Sequence, residues 1–418
     1  MDKKRLIYAV IFFIFCILIG YGIYYVFFKK RITLNQTPEK TGTASQFPNS
    51  GTGRNAGQLA SPTSSLPTIG TRTIPSASTT ISRTTQQTTQ RPSASEKTLI
   101  TQATTAEAAN VSVGKDGGAR FYNRADGKFY QVNADGTTRA LSDTVFYNVQ
   151  SASWSPTKNE TIIEYPDGSN IYYNFDSKEQ VTLPKHWENF SFSPIGDKIE
   201  AKSIGIAPEN RWLITSDPRG SNIKLVEPLG ENGDKVIVDW SPNQQVIALS
   251  RTGEALGDDR QEVLMVGLNK ENFKSVIVEG RGLETQWSPK GSKLLHSVYS
   301  GRNDYKPELW IVSATPDTAG GDRRLLNVNT WAEKCTMADE RFVYCGVPQT
   351  LERGSGFAPT LADATPDNIY KIDTTTGIKT QIPLDRQYTV DRMYVSADGR
   401  TVYFTDKHAS GIFQFPIK

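Results

Sequence analysis

The last three quarters of the chain alternate short apolar runs with clusters of turn-forming residues. One phrase recurs there. Trp154-Ser155-Pro156 precedes Ile162-Ile163, and Phe192-Ser193-Pro194 precedes Ile199. Trp240-Ser241-Pro242 precedes Val246-Ile247, and Trp287-Ser288-Pro289 precedes Leu294-Leu295. Two degenerate copies follow. Cys335-Thr336-Met337-Ala338-Asp339 stands before Phe342-Val343-Tyr344, and Val395-Ser396-Ala397-Asp398-Gly399 before Val402-Tyr403-Phe404. With Cys335 and Val395 taken in the aromatic's place, the first positions are 38, 48, 47, 48 and 60 residues apart. That is the period of four-stranded blades carrying insertions.

The phrase has the chemistry of a hairpin. Proline cannot continue a ladder, so it ends the strand that carries the aromatic. The Ser, Asn, Asp and Gly that follow make the turn. Strands of period two come next, as in residues 170–175 and 308–312. Upstream, Asp116-Gly117, Asp126-Gly127 and Asp135-Gly136 separate short apolar runs, a strong hairpin signal. Residues 111–142 therefore read as a further blade. The last blade lacks a fourth strand, and residues 98–102 could supply it and close the ring. Closure removes exposed sheet edges. The expected fold is all-β, a propeller of seven four-stranded blades over residues 111–418, with six blades as the alternative count.

The N-terminal pattern differs. Residues 6–28 contain no charged side chain, and 23 residues span roughly 35 Å as a helix, enough to cross a bilayer. Aromatics gather at the end of the run, which finishes in Phe27-Phe28-Lys29-Lys30-Arg31. A cleaved signal would be shorter, with a small-residue cleavage site. Residues 1–31 thus read as an uncleaved membrane anchor, with Cys16 as an apolar residue within it. Three basic residues flank each end, so charge alone leaves the orientation tied. Residues 32–110 read as a disordered linker. From residue 37 to 110, 28 of 74 residues are Ser or Thr and Phe47 is the one aromatic, too little apolar surface to offset chain entropy. Such stalks commonly join a membrane to an exported domain, which favours a single-pass protein with its C-terminal part outside the cytoplasm.

The phrase [Trp/Phe]-Ser-Pro-x-Gly-x-x-apolar resembles the WD40-like repeat of TolB-type β-propellers. The same repeat occurs in the propeller of dipeptidyl peptidase IV-like proteins. The resemblance covers about residues 111–418 and implies a fold, since propellers host many functions. It stops short of the α/β-hydrolase domain that follows the propeller in the dipeptidyl peptidase family.

Charge and composition narrow the chemistry. The formal net charge is +3, from 47 Lys+Arg and 44 Asp+Glu, which argues against a nucleic-acid binder. Three Cys exclude a disulfide-dense scaffold, and three His leave little for a metal centre. No nucleophile elbow, P-loop or His-Glu-x-x-His motif occurs. His186, His296 and His408 fall in different repeats, so no catalytic, cofactor or metal-binding residue is assigned. The Asn123–Gly127 cluster lacks the twelfth-position Glu of an EF-hand and reads as a turn.

Two features remain. Cys335 and Cys345 lie on successive strands and come nearly opposite each other, within reach of a disulfide; two buried thiols are the alternative. Three longer insertions, residues 251–261, 299–307 and 347–368, each join a second strand to a third, so all should emerge on one face. They carry Asp258, Asp259, Arg260, Arg302, Asp304, Tyr305, Arg353 and Phe357. The expected function is a binding or scaffolding module for a protein or a cell-envelope polymer. A propeller hydrolase or lyase acting on carbohydrate or peptide is the alternative. That alternative would need carboxylates from several blades converging on an axial pocket.

Overall fold

A computed structural model describes residues 100–133, 136–271 and 273–417. The expected anchor, and the linker up to residue 99, lie outside the described residues. Among the described residues, 28 strands form seven four-stranded antiparallel sheets.

Blade 1 is β2 to β5 (Ala108–Val113, Ala119–Asn123, Lys128–Val132, Thr138–Ala140). Blade 2 is β6 to β9 (Ser151–Trp154, Glu160–Glu164, Asn170–Asn174, Gln180–Leu183). Blade 3 is β10 to β13 (Trp187–Phe192, Ile199–Ile204, Arg211–Ser216, Lys224–Pro228). Blade 4 is β14 to β17 (Val236–Val238, Val246–Ser250, Gln261–Gly267, Val276–Val278). Blade 5 is β18 to β21 (Arg281–Trp287, Lys293–Tyr299, Pro307–Ser313, Arg324–Leu325). Blade 6 is β22 to β25 (Cys335–Met337, Phe342–Pro348, Asp367–Asp373, Lys379–Ile382). Blade 7 is β26 to β28 (Val390–Val395, Thr401–Asp406, Ile412–Pro416) plus β1 (Thr101–Thr104) as its outermost strand.

The count is therefore seven, not six. β1 closes the ring, pairing Thr101 with Gln414 and Gln102 with Phe413. Strands β1 and β2 both begin inside the segment that composition assigns to the linker, because closing the last sheet recruits polar Thr and Gln through backbone hydrogen bonds that composition does not register.

The repeated phrase works as a local device. Ser241 Oγ accepts the Val246 amide at 2.9 Å and donates to Asn243 Oδ1 at 2.6 Å. Ser396 Oγ likewise accepts the Thr401 amide and donates to Asp398 Oδ1. The serine thus satisfies turn amides that face the interior. The tryptophan joins neighbouring blades. Trp154 Nε1 donates to the Asn110 carbonyl at 2.8 Å, and Trp287 Nε1 to the Asp239 carbonyl at 3.3 Å. Between blades the core is aliphatic and aromatic. In one cluster Trp240 and Val236 of blade 4 pack with Leu213 and Val226 of blade 3.

One register expectation changes. The turn amides show that Ala338 stands where Ser155, Ser241 and Ser288 stand, since the N–H of each donates to a carbonyl at the start of the next strand: Ala338 to Phe342, as Ser155 to Glu160, Ser241 to Val246 and Ser288 to Lys293. Met337, not Cys335, therefore occupies the aromatic's place in blade 6. With Trp and Pro both absent there, the sequence carries no marker of the register.

Candidate functional site

Cys335 and Cys345 are direct partners across β22 and β23, with Cα atoms 4.0 Å apart, and are joined by a disulfide. Both are fully buried in the core between blades 5 and 6. The bond fastens a first strand only three residues long.

The three insertions do emerge together, and they touch. Arg302 holds the blade 5 insertion to blade 4. Its Nη2 donates to Glu279 Oε2 at 3.1 Å, and its Nε lies 3.8 Å from Asp259 Oδ2 in the blade 4 insertion. Glu279 is buried at the side chain and also accepts Arg323 at 2.8 Å. On the other flank, the amide of Gly354 donates to the Asp304 carbonyl and that of Gly356 to the Tyr305 carbonyl, at 2.8 and 2.7 Å. Only glycine permits this approach at position 356. A Cβ there would stand 2.4 Å from Tyr299 Cβ and 2.6 Å from the Tyr305 carbonyl oxygen.

The result is a ridge across blades 4, 5 and 6. Phe357 is its crest. It packs edge-on against Tyr299 and Tyr305, both at 5.8 Å, and still leaves 60% of its surface exposed. Tyr305 and Leu361 are exposed beside it. Asp258, Arg260, Arg302, Asp304 and Arg353 are exposed around them, and Asp259 is half-buried. Strands β23 and β24 extend to Pro348 and Asp367, so the irregular part of the third insertion is residues 349–366.

The same face holds a vestibule that sequence reasoning did not locate. Its volume is about 970 Å³, and it spans blades 6, 7, 1 and 2. Carboxylates reach it from several elements: Glu107, Asp363, Asp391 and Asp406. Cations accompany them. Lys407 pairs with Asp363, and Arg392 pairs with Glu333 at 3.2 Å. His408 Nε2 lies 2.6 Å from the Asp363 carbonyl oxygen. Asp406 is committed to the backbone, accepting the amides of Thr389, His408 and Ala409. Asp363 lies near the end of the third insertion, so one loop carries both the crest of the ridge and a wall of the vestibule. These residues run from Glu107 to His408, 301 positions apart, and have no shared spacing, which is why no motif marked them.

Titratable groups elsewhere are displaced by burial. Glu284 on the innermost strand of blade 5 is pushed up to about 7 by burial and then by Glu333. Burial alone lifts Asp239 to about 7. Glu200 on β11 is fully buried, and neither carboxyl oxygen has a hydrogen-bond partner. Its carboxyl is held far above the usual range by burial, reinforced by Asp239. His296 is fully buried on β19 and pushed down to about 4 by that burial, so it is a neutral core residue. His186 lies in the loop between β9 and β10 and His408 in that between β27 and β28. No group of three or more His, Cys, Asp or Glu suited to a metal ion occurs among the described residues.

No sequence-family model matches the chain, and no curated protein does. Solved structures do match in fold. An oligogalacturonate lyase in complex with manganese aligns at 13% identity and TM-score 0.53, covering 78% of this chain and 94% of that one. The β-propeller domain of Cps50 (Swd1) from Myceliophteria thermophila aligns at 11% identity and TM-score 0.51, covering 77% of this chain and all of that domain. The tricorn protease aligns at 11% identity and TM-score 0.49, over 77% of this chain; the chain spans about a third of that enzyme, 34%. At such identities the likeness is one of fold alone. Together with the seven four-stranded sheets, the lyase and Cps50 (Swd1) likenesses define the fold: a seven-bladed β-propeller.

Proposed function

We propose that this propeller is a binding module whose working surface is the ridge of insertions on blades 4, 5 and 6. The observation that carries the reading is the interlock. Three loops from separate blades are fixed to each other by backbone hydrogen bonds and by Arg302, and they present Phe357, Tyr305 and Leu361 to solvent on a rigid base. Exposed aromatics flanked by arginine are the composition of interface hot spots, and a preformed surface loses little entropy on binding. The expected partner is a protein or a cell-envelope polymer. The apolar run at residues 6–28 and the Ser/Thr-rich segment after it support a propeller tethered to the cell membrane and placed outside the cytoplasm.

The test is capture of partners from membranes by the full chain. Phe357→Ala combined with Tyr305→Ala should reduce recovery of specific partners at least tenfold while thermal stability stays within a few degrees. Undiminished recovery would reject the ridge as the binding surface.

A second reading has one observation in its favour. Carboxylates of blades 6 and 7 and of the entry to blade 1 converge on the vestibule together with Arg124, Arg392 and His408, as a propeller lyase or hydrolase would need. Turnover of oligosaccharide or peptide libraries, lost in Asp391→Asn, would support it.

A further inference from the structure

A groove of about 360 Å³ lies between blades 5 and 6, within the size range of small-molecule sites. Asn327 and Asn329 border it from the loop after β21, and Lys306 from the position before β20. Gln349 and Thr350 border it from the first residues after β23, and Asn368 and Tyr370 from β24. Phe357, Tyr305 and Leu361 do not line it, so the groove is separate from the crest of the ridge.

Hydrogen-bonding capacity is left over along its walls, on residues that solvent reaches. Asn327, Gln349 and Thr350 are exposed, and Lys306, Asn329, Asn368 and Tyr370 are half-buried. Asn329 Nδ2 donates to the Pro307 carbonyl at 2.9 Å, which leaves its side-chain oxygen as an acceptor. Asn368 Oδ1 accepts Gln381 Nε2 at 3.1 Å and Gln349 Nε2 at 3.5 Å. Asn368 therefore keeps its amino group, and Gln349 its oxygen, for a further partner. Among the described residues, the side chains of Lys306, Asn327, Thr350 and Tyr370 have no hydrogen-bond partner. No Asp or Glu lines the groove, and Lys379, which does, is held to the Asn327 carbonyl at 2.9 Å. Strands β23 and β24 are each paired on both sides, so neither has a free edge for a peptide strand to join.

We propose that this groove binds a hydroxyl-rich segment of a glycan chain. Each hydroxyl of a sugar both donates and accepts, and the amides of Gln349, Asn368 and Asn329 supply both kinds of partner. Tyr370 adds a flat ring for the C–H face of a sugar and a hydroxyl at its rim. Such a ligand exchanges bonds to water for bonds of the same kind, so the match of donors to acceptors sets the affinity rather than net charge.

Biolayer interferometry of the full chain, held in a sugar-free polyoxyethylene detergent, tests this on sensors carrying dextran, mannan, xylan, galactan, hydroxyethylcellulose or hyaluronan. A saturable response to at least one glycan is expected, and it should persist in about 0.5 M salt. Gln349→Ala combined with Asn368→Ala should weaken it about tenfold or more. Thr350→Trp, which changes an exposed side chain without a partner and fills the groove, should abolish it. Phe357→Ala combined with Tyr305→Ala should leave it unchanged, so failure of the ridge and failure of the groove are separate outcomes. Thermal unfolding of each variant near the wild-type temperature shows that it is folded. No saturable response to any of these glycans by about 0.1 mM protein would overturn the proposal. So would a response that vanishes in salt, is unchanged in Thr350→Trp, or is lost in the ridge variant.

Discussion

Leaving Cys335 and Cys345 reduced should lower the stability of the propeller by a calculable amount. The bond closes a short loop, with a sequence separation of 10. The loop-closure relation gives about 9 cal/mol/K of unfolded-state entropy for such a loop, or about 2.7 kcal/mol at 25 °C. The shift in melting temperature depends on the entropy of unfolding. At about 2.1 cal/mol/K per residue, the roughly 300 residues of one cooperative propeller give about 0.63 kcal/mol/K, so the expected drop is about 4 °C. The assay compares differential scanning calorimetry of the oxidised protein with the same protein refolded and held under a phosphine reductant. These two samples differ by two hydrogens and so isolate the cross-link. The double variant Cys335→Ala, Cys345→Ala should be insensitive to reductant. Of the three cysteines, only Cys16 should titrate in the denatured, unreduced chain. Melting temperatures within about 1 °C with and without reductant would refute the loop-entropy reasoning. An equal reductant effect in the double variant would assign it to something other than this bond.

Three other outcomes follow from burial and packing. The folded state holds the Glu200 proton at pH values where the unfolded chain has lost it, so its contribution is complete below about pH 4.5 and is lost as pH rises through its raised folded value. Glu200→Gln should therefore flatten the fall in stability as pH rises from about 4.5, its advantage over wild type growing across that rise; parallel pH profiles in urea titrations would contradict this. Asp367 holds buried Lys334 at 2.8 Å and accepts the Val390 amide at 2.6 Å. Asp367→Ala leaves that cation unpaired and should cost about 3–5 kcal/mol in denaturant unfolding, and a loss under 1 kcal/mol would dismiss the pair as a fastener. Gly356→Ala should lift the third insertion from Tyr299 and Tyr305, speeding hydrogen exchange at the amides of residues 354 and 356 while the blade strands stay protected. Unchanged exchange there would show that the ridge does not depend on that contact.

Much of the fold was legible because its determinants are local. Ser241 and Ser396 act on amides four or five residues away, and a proline after Ser155, Ser193, Ser241 and Ser288 ends the strand there, so the blade period is written in the sequence. Closure by the segment near residue 100 was also foreseeable, since a three-stranded last sheet leaves an edge to be covered. Register failed only at blade 6, where Met337 sits in the place of an aromatic and no serine or proline follows. The insertions could be placed on one face by counting strands. Their contacts could not, because the approach of Gly356 to Tyr299 depends on the angle between blades 5 and 6.

The sequence by itself determined the all-β repeat, the ring and the face from which the long loops rise, because hydrophobic period and turn chemistry act over a few residues. Tertiary structure alone decided what those residues meet. It brought Asp363 against Lys407 and His408, left Glu200 buried without a partner, and opened the groove beside Asn368. Each of these depends on how one blade packs on the next, and the period of a repeat carries no information about the space between its copies.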